Sequence, residues 1–160
     1  MQRVITLVVA LYSFFLIESN IHNLPARIPT HFNAAGEADG WGSPNTLWVL
    51  LLSQVLVGGL FLTIPLLARR FPSNVNLGSV KLSDLSPEQQ DRVIPLFINM
   101  MGNMSVLVCL LLAFILHGTI QAALPPHPRL APGWVLGCFL ACIAVNMIYY
   151  LIRIFEARNA

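Results

Sequence analysis

The chain alternates long apolar runs with shorter polar segments. A helix of 20 residues rises about 30 Å, which is enough to cross the hydrocarbon core of a bilayer. Four runs are long enough for this, so we predict an all-α membrane protein, a single domain over residues 1–160 that forms a four-transmembrane-helix bundle. The predicted spans are residues 2–21, 45–67, 96–120 and 133–154.

The segment before the third span carries a helix start. Ser86-Pro87-Glu88-Gln89 is a capping signature, in which the Ser hydroxyl accepts from the amide of Gln89 and the Gln side chain reaches back. Pro95 has no amide hydrogen to donate inside a helix. We therefore predict a short interfacial turn that meets Pro95 and continues, kinked there, as the third span.

The composition agrees with residence in a membrane. Hydrophobic residues make up 56% of the chain and charged residues 10%, with a mean hydropathy of +0.72, whereas soluble domains carry about 25% charged residues. The net charge of +2 is too small to indicate a nucleic-acid partner. The expected surroundings are the lipid bilayer, and no cofactor is predicted.

The distribution of basic residues predicts the orientation. Nine Lys and Arg residues are present, and two of them, Arg27 and Arg129, fall in the connections at one end of the predicted bundle. Cytoplasmic connections are enriched in Lys and Arg, so we expect both termini in the cytoplasm and a structured extracytoplasmic loop, residues 24–44, between the first two helices. The other seven basic residues lie on the cytoplasmic side: Arg3, Arg69, Arg70, Lys81, Arg92, Arg153 and Arg158.

Polar residues inside the spans require partners, because lipid offers none. Asn99 and Asn103 share a face of the third span, and Asn146 lies in the fourth. They indicate either helix-to-helix hydrogen bonding or a polar seam that lines a small pocket or ion path. Within the predicted spans no Asp, Glu, Lys or Arg occupies the middle, which disfavours a transporter coupled to protons or ions.

Small residues recur on the fourth span. Gly133, Gly137 and Ala141 repeat every four residues, a spacing that lets helix backbones approach closely. The pattern predicts packing inside the bundle, with a homo-oligomer seam as the alternative. The cysteines lie in apolar runs and are interpreted as small buried hydrophobes rather than as a disulfide framework or a metal pair; they are Cys109, Cys138 and Cys142.

The composition of the loop over residues 24–44 predicts a defined backbone conformation. Pro25 and Pro29 disfavour helix and predict an extended first half. Turns are predicted in the second half, at positions that tolerate positive φ: Asn33, Gly36, Asp39, Gly40 and Gly42. Phe32 and Trp41 are the expected anchors on the bundle.

The same loop holds most of the side chains that could bind a metal or transfer a proton. The possible metal ligands or acid–base groups are His31, Glu37 and Asp39 of the loop, together with His22 just before it. Their spacing matches no helical ligand motif, and no nucleophile stands beside them in the sequence. The hypothesis of a small metal-assisted membrane hydrolase, using His31 with Asp39 or Glu37, therefore stays an alternative.

The run from Leu24 to Ser43 resembles the signature of a bacterial family of membrane proteins, the domain of unknown function DUF1648. The shared form is LP-x-x-IP-x-HFN-x-x-G-x-x-D-x-WGS, in a loop that joins two membrane helices. The family includes SdpI-like immunity proteins, so the resemblance implies a location in the bacterial inner membrane and a role in immunity against a secreted peptide or in signalling. It implies a binding site at Pro25, Pro29, His31, Phe32, Asn33, Gly36, Asp39, Trp41 and Gly42.

Three functional hypotheses follow. The first is a non-enzymatic membrane protein whose outward loop recognises an extracytoplasmic peptide, lipid or partner protein. The second is the metal-assisted hydrolase. The third is a structural subunit that forms oligomers through the Gly133, Gly137 and Ala141 face of the fourth span. We favour the first.

Overall fold

Four long helices dominate the computed structural model, which describes residues 1–33, 35–77, 80–124 and 133–159. The helices are α1 (Gln2–Asn20), α2 (Thr46–Arg70), α3 (Pro87–Ala123) and α4 (Gly133–Asn159). By length and composition all four could cross a membrane, in agreement with the four apolar runs of the sequence. Arg129, counted above in an outer connection, lies outside the described residues.

Two small antiparallel sheets add to the mostly helical structure that was predicted. Strands β1 (Ile28–Phe32) and β2 (Ala38–Gly42) form a hairpin between α1 and α2. Strands β3 (Asn76–Leu77) and β4 (Val80–Lys81) pair between α2 and α3. Both sheets lie in connections where proline disfavours helix, so the backbone groups of these segments need partners in a neighbouring strand.

Helix α3 is the centre of the bundle and packs against the other three helices. Its capping box forms as predicted: the Gln89 amide donates to Ser86 Oγ at 3.2 Å, and the Ser86 amide donates to Gln89 Oε1 at 2.9 Å. The helix then runs through Pro95 as one 37-residue element. Val93 is fully buried in a cluster with Leu82, Leu85 and Ile154, so packing holds the chain helical on the N-terminal side of the proline.

Three helices meet closely at Gly58 of α2. A Cβ at this position would lie 2.6 Å from the Cys109 sulfur and 3.2 Å from Cγ2 of Thr6. The Ser105 hydroxyl donates to the Gly58 carbonyl at 3.0 Å and lies 3.0 Å from the Thr6 hydroxyl. The absence of a side chain at Gly58 therefore allows α1, α2 and α3 to share one buried hydrogen-bond cluster.

A second polar cluster joins α1, α3 and α4. Asn103 Nδ2 donates to Asn146 Oδ1 at 3.2 Å and lies 3.4 Å from the Tyr150 hydroxyl, while Gln2 Nε2 donates to Asn103 Oδ1 at 3.2 Å. Asn103 and Asn146 thus hydrogen-bond between helices. Asn99 is exposed and, among the described residues, takes no part in this cluster.

Helix α4 packs on α3 through one face only. Phe139, Asn146, Tyr150 and Ile154 face α3, and Ile154 is the buried residue of the helix. The small residues of α4 that were expected to pack inside the bundle are exposed: Gly133, Gly137 and Ala141. Cys138 and Cys142 are also exposed, whereas Cys109 is buried as expected. Lipid tails and side chains are equally apolar, so hydrophobicity does not force a small-residue face inward.

Candidate functional site

The hairpin formed by β1 and β2 is the candidate site, and a tight turn closes it. The Gly36 amide donates to the Asn33 carbonyl at 2.9 Å, and the Asn33 amide donates to the Glu37 carbonyl at 2.9 Å. The Asn33 side chain reinforces the turn, because its Oδ1 accepts from the amides of Ala35 and Glu37. Gly36 has a φ of 76°, the left-handed conformation that disfavours other residues. Asn33 and Gly36 therefore set the shape of the hairpin turn.

The base of the hairpin is anchored by its first strand. Ile28 is fully buried, and it packs in one apolar cluster with Ile17, Leu47, Leu116 and Ile120 of the three neighbouring helices. Pro29 is also fully buried. These contacts fix the hairpin on the bundle, so its exposed residues are held by a rigid base.

The predicted anchors are corrected by this geometry. Trp41 is 46% exposed, and Phe32 is only half-buried at the far end of β1. The strand pairs Ile28 with Gly42 and Pro29 with Trp41, and its register shifts near His31. Trp41 therefore lies beside the buried proline without entering the core.

Two glycines of β2 serve close approach rather than turns. A Cβ on Gly40 would lie 2.8 Å from Cβ of His31, and one on Gly42 would lie 2.9 Å from Cγ2 of Thr30. Among described glycines only Gly36 has positive φ, so the turns expected at Gly40 and Gly42 are replaced by an extended strand. Their small size lets β2 lie directly against β1.

The outer surface of the hairpin presents a His–Asp pair. The His31 Nδ1 contacts Oδ1 of Asp39, and the two side chains are 73% and 45% exposed. A carboxylate only accepts, so it fixes the proton on Nδ1 and leaves Nε2 free as an acceptor in the neutral ring. Beside them, Arg27 Nη2 donates to the carbonyl of Trp41 at 3.1 Å. The surface thus offers a cation, an oriented imidazole, a carboxylate and an indole.

Other candidate residues lie before the hairpin and at its tip. Pro25 is exposed ahead of β1, and His22 is exposed in the turn that follows α1. Glu37 lies at the hairpin tip, where Asn33 Nδ2 is 3.5 Å from its Oε2. Among the described residues no group of three His, Cys, Asp or Glu side chains is arranged to hold a metal ion.

A groove runs from the hairpin down the bundle. Its cavity of about 310 Å³ lies between Pro29, Thr30 and Phe32 of β1 and the facing sides of α2 and α3. Three further hydroxyl groups line it, from Thr46, Ser53 and Thr119. These three could not be singled out from the sequence, since isolated Ser and Thr residues are common in membrane helices.

Gln54 is a buried polar residue for which no role was predicted. It is fully buried in α2, and its Nε2 donates to the Cys109 carbonyl at 3.1 Å. Its Oε1 has no hydrogen-bond partner among the described residues. Its position as a single glutamine inside an apolar span would have been enough to mark Gln54 as a candidate functional residue.

The fold and the hairpin together define the class: a membrane protein with four helices able to span a bilayer and a rigid β-hairpin between the first two. The family model of the domain of unknown function DUF1648 matches residues 4–55, which comprise most of α1, the whole hairpin and the first part of α2. The match supports the family for this third of the chain. No curated protein and no solved structure matches the chain.

Proposed function

We propose that this chain is a non-enzymatic protein of the bacterial inner membrane whose hairpin faces outward and recognises an extracytoplasmic peptide. The observation that carries the proposal is the rigid base formed by Ile28 and Pro29, beneath the exposed side chains of His31, Asp39 and Trp41. A surface that is held in shape and left exposed loses little conformational freedom when it binds.

An extended peptide fits the backbone as well as the side chains of the hairpin. Within the described residues β2 pairs only with β1, so among them its outer edge has no partner strand. Free strand edges bind extended peptides through main-chain hydrogen bonds, with side chains adding specificity. The resemblance to SdpI-like proteins favours a secreted toxic peptide as the ligand and immunity as the role. A lipid headgroup or a partner protein would use the same side chains without the edge.

The orientation in this proposal rests on the positive-inside distribution. Thr30 lies on the hairpin and Ser73 lies at the other end of the bundle, and both are exposed. A membrane-impermeant maleimide should label Thr30→Cys in intact cells and Ser73→Cys only after permeabilisation. The parent protein controls for the three native cysteines. The reverse pattern would contradict the orientation.

Recognition is tested by photo-crosslinking in living cells. Benzoyl-phenylalanine placed at Trp41 should give an adduct with a peptide, and the same group at Phe71, an exposed aromatic position at the other end, is the matched control. The Trp41 adduct should disappear in Asp39→Asn, because the carboxylate orients His31. An adduct of lipid alone, or one insensitive to Asp39→Asn, would refute peptide recognition.

A second candidate is favoured by the exposed small residues of α4. A Cβ on Gly137 would meet nothing within 4 Å, so Gly137→Leu fits the monomer and would disrupt only a seam between copies. If the chain forms homo-oligomers through this face, Gly137→Leu should lower the particle mass in nanodiscs. A wild-type protein that is monomeric there would exclude this candidate.

A further inference from the structure

A pocket lies at the opposite end of the bundle from the hairpin, and the proposed function makes no use of it. Its cavity of about 320 Å³ opens between α3 and α4. Met100 and Ile154 line it and belong to a buried apolar cluster, while Phe97 and Leu151 form its sides. The interior is therefore apolar, and the packed cluster behind it keeps its shape.

The polar residues of this pocket include a guanidinium. Arg158 lines the cavity in the last turn of α4, with its Cζ 4.9 Å from the ring centre of Phe155. Gln89 Nε2 donates to the Arg158 carbonyl at 2.7 Å and so ties this turn to the start of α3. Asn76 adds an amide from the connection after α2.

The charge of Arg158 is available for a ligand. Among the described residues no carboxylate pairs with it, and its Nε lies 3.5 Å from the amide oxygen of Asn159. Arg153 on the same helix differs, because its Nη1 binds Glu156 Oε2 at 3.1 Å. Arg158 thus combines an apolar pocket with an unpaired cation, and Arg153 is its natural control.

The depth of the pocket identifies its surroundings. Helix α4 has 27 residues, and a helix of that length rises about 40 Å, more than the roughly 30 Å of the hydrocarbon core. Its last turn therefore reaches the headgroup region while Leu151 remains beside the acyl chains. A pocket that spans this boundary, apolar inside and cationic at its edge, matches an amphiphile with an anionic head.

We infer that this pocket binds an anionic phospholipid of the adjacent leaflet. The phosphate contacts Arg158, and part of one acyl chain enters between Phe97 and Leu151, since the cavity is small for a ligand pocket. Other basic residues at this end, Arg69 and Arg70 of α2, add attraction for anionic lipid over zwitterionic lipid. This inference is independent of the hairpin and of its ligand.

Native mass spectrometry of the full chain in detergent tests the inference, with phosphatidylglycerol and phosphatidylcholine as the added lipids. The wild type should retain phosphatidylglycerol more tightly, and Arg158→Gln should weaken that binding about five-fold. Arg153→Gln should leave it unchanged. Leu151→Trp should reduce the binding of both lipids, because the larger ring fills the cavity.

Three results would overturn the inference. Equal retention of the two lipids by the wild type would remove the charge selectivity. Equal weakening by Arg158→Gln and Arg153→Gln would show general surface charge rather than a pocket. Displacement of phosphatidylglycerol by a free fatty acid at equal concentration would identify a different occupant.

Discussion

The close approach at Gly58 predicts a large effect from one methyl group. A Cβ there would lie 2.6 Å from the Cys109 sulfur, about 1 Å nearer than ordinary non-bonded contacts of roughly 3.5–4.0 Å. The clash lies between packed helices, where overpacking costs about 1–3 kcal/mol. We therefore expect Gly58→Ala to be destabilised relative to Gly59→Ala by about that amount. At Gly59 a Cβ would meet nothing within 4 Å, and the two variants share the same gain in helix propensity.

The measurement is reversible unfolding in mixed micelles by titration with sodium dodecyl sulfate, followed by circular dichroism. Cys109→Ala removes the sulfur, so the double variant should recover part of the loss, with a coupling of more than about 0.5 kcal/mol. Thr6 remains 3.2 Å away, so recovery should be incomplete. Equal stability of the two glycine variants, or strictly additive effects with Cys109→Ala, would refute the close packing of these helices.

Three further predictions concern the hairpin, the buried glutamine and the helix cap. Gly40→Ala should push β2 away from His31 and speed trypsin cleavage after Arg27 several-fold; an unchanged rate would contradict the close strand contact. The free energy of unfolding of Gln54→Met should lie within about 1 kcal/mol of the wild-type value, since an apolar residue of similar size removes an unpaired oxygen. Gln54→Ala leaves a cavity instead, so its free energy of unfolding should fall by about 2 kcal/mol or more. Ser86→Ala should lower the free energy of unfolding by about 0.5–2 kcal/mol. Ser73→Ala is the control and should leave this free energy unchanged.

The helices were predictable because a bilayer leaves few choices. An apolar run of about 20 residues must satisfy its own backbone groups, and a helix does so. The start of α3 was equally clear, because Ser86 and Gln89 form a local interaction that needs no tertiary contact. Pro25 and Pro29 likewise indicate extended backbone, because proline disfavours helix whatever its partner strand.

The sequence left the faces of these elements undetermined. In β1 and β2 a shift of one residue exchanges the inner and outer sides, so only the folded hairpin shows that Ile28 is buried and that Trp41, opposite Pro29, is exposed. In α4 every face is apolar enough for lipid. The small residues at Gly133 and Gly137 therefore carried no information about which side meets α3. Pairing of His31 with Asp39 likewise depended on the strand register.

Helix α3 connects the two ends of the molecule. Its 37 residues rise about 55 Å, so it exceeds the thickness of the hydrocarbon core and reaches from one aqueous side toward the other. Its C-terminal part lines the groove beneath the hairpin through Thr119, and its N-terminal part lines the pocket at the other end of the bundle through Phe97. One helix therefore contributes side chains to both surfaces of the protein.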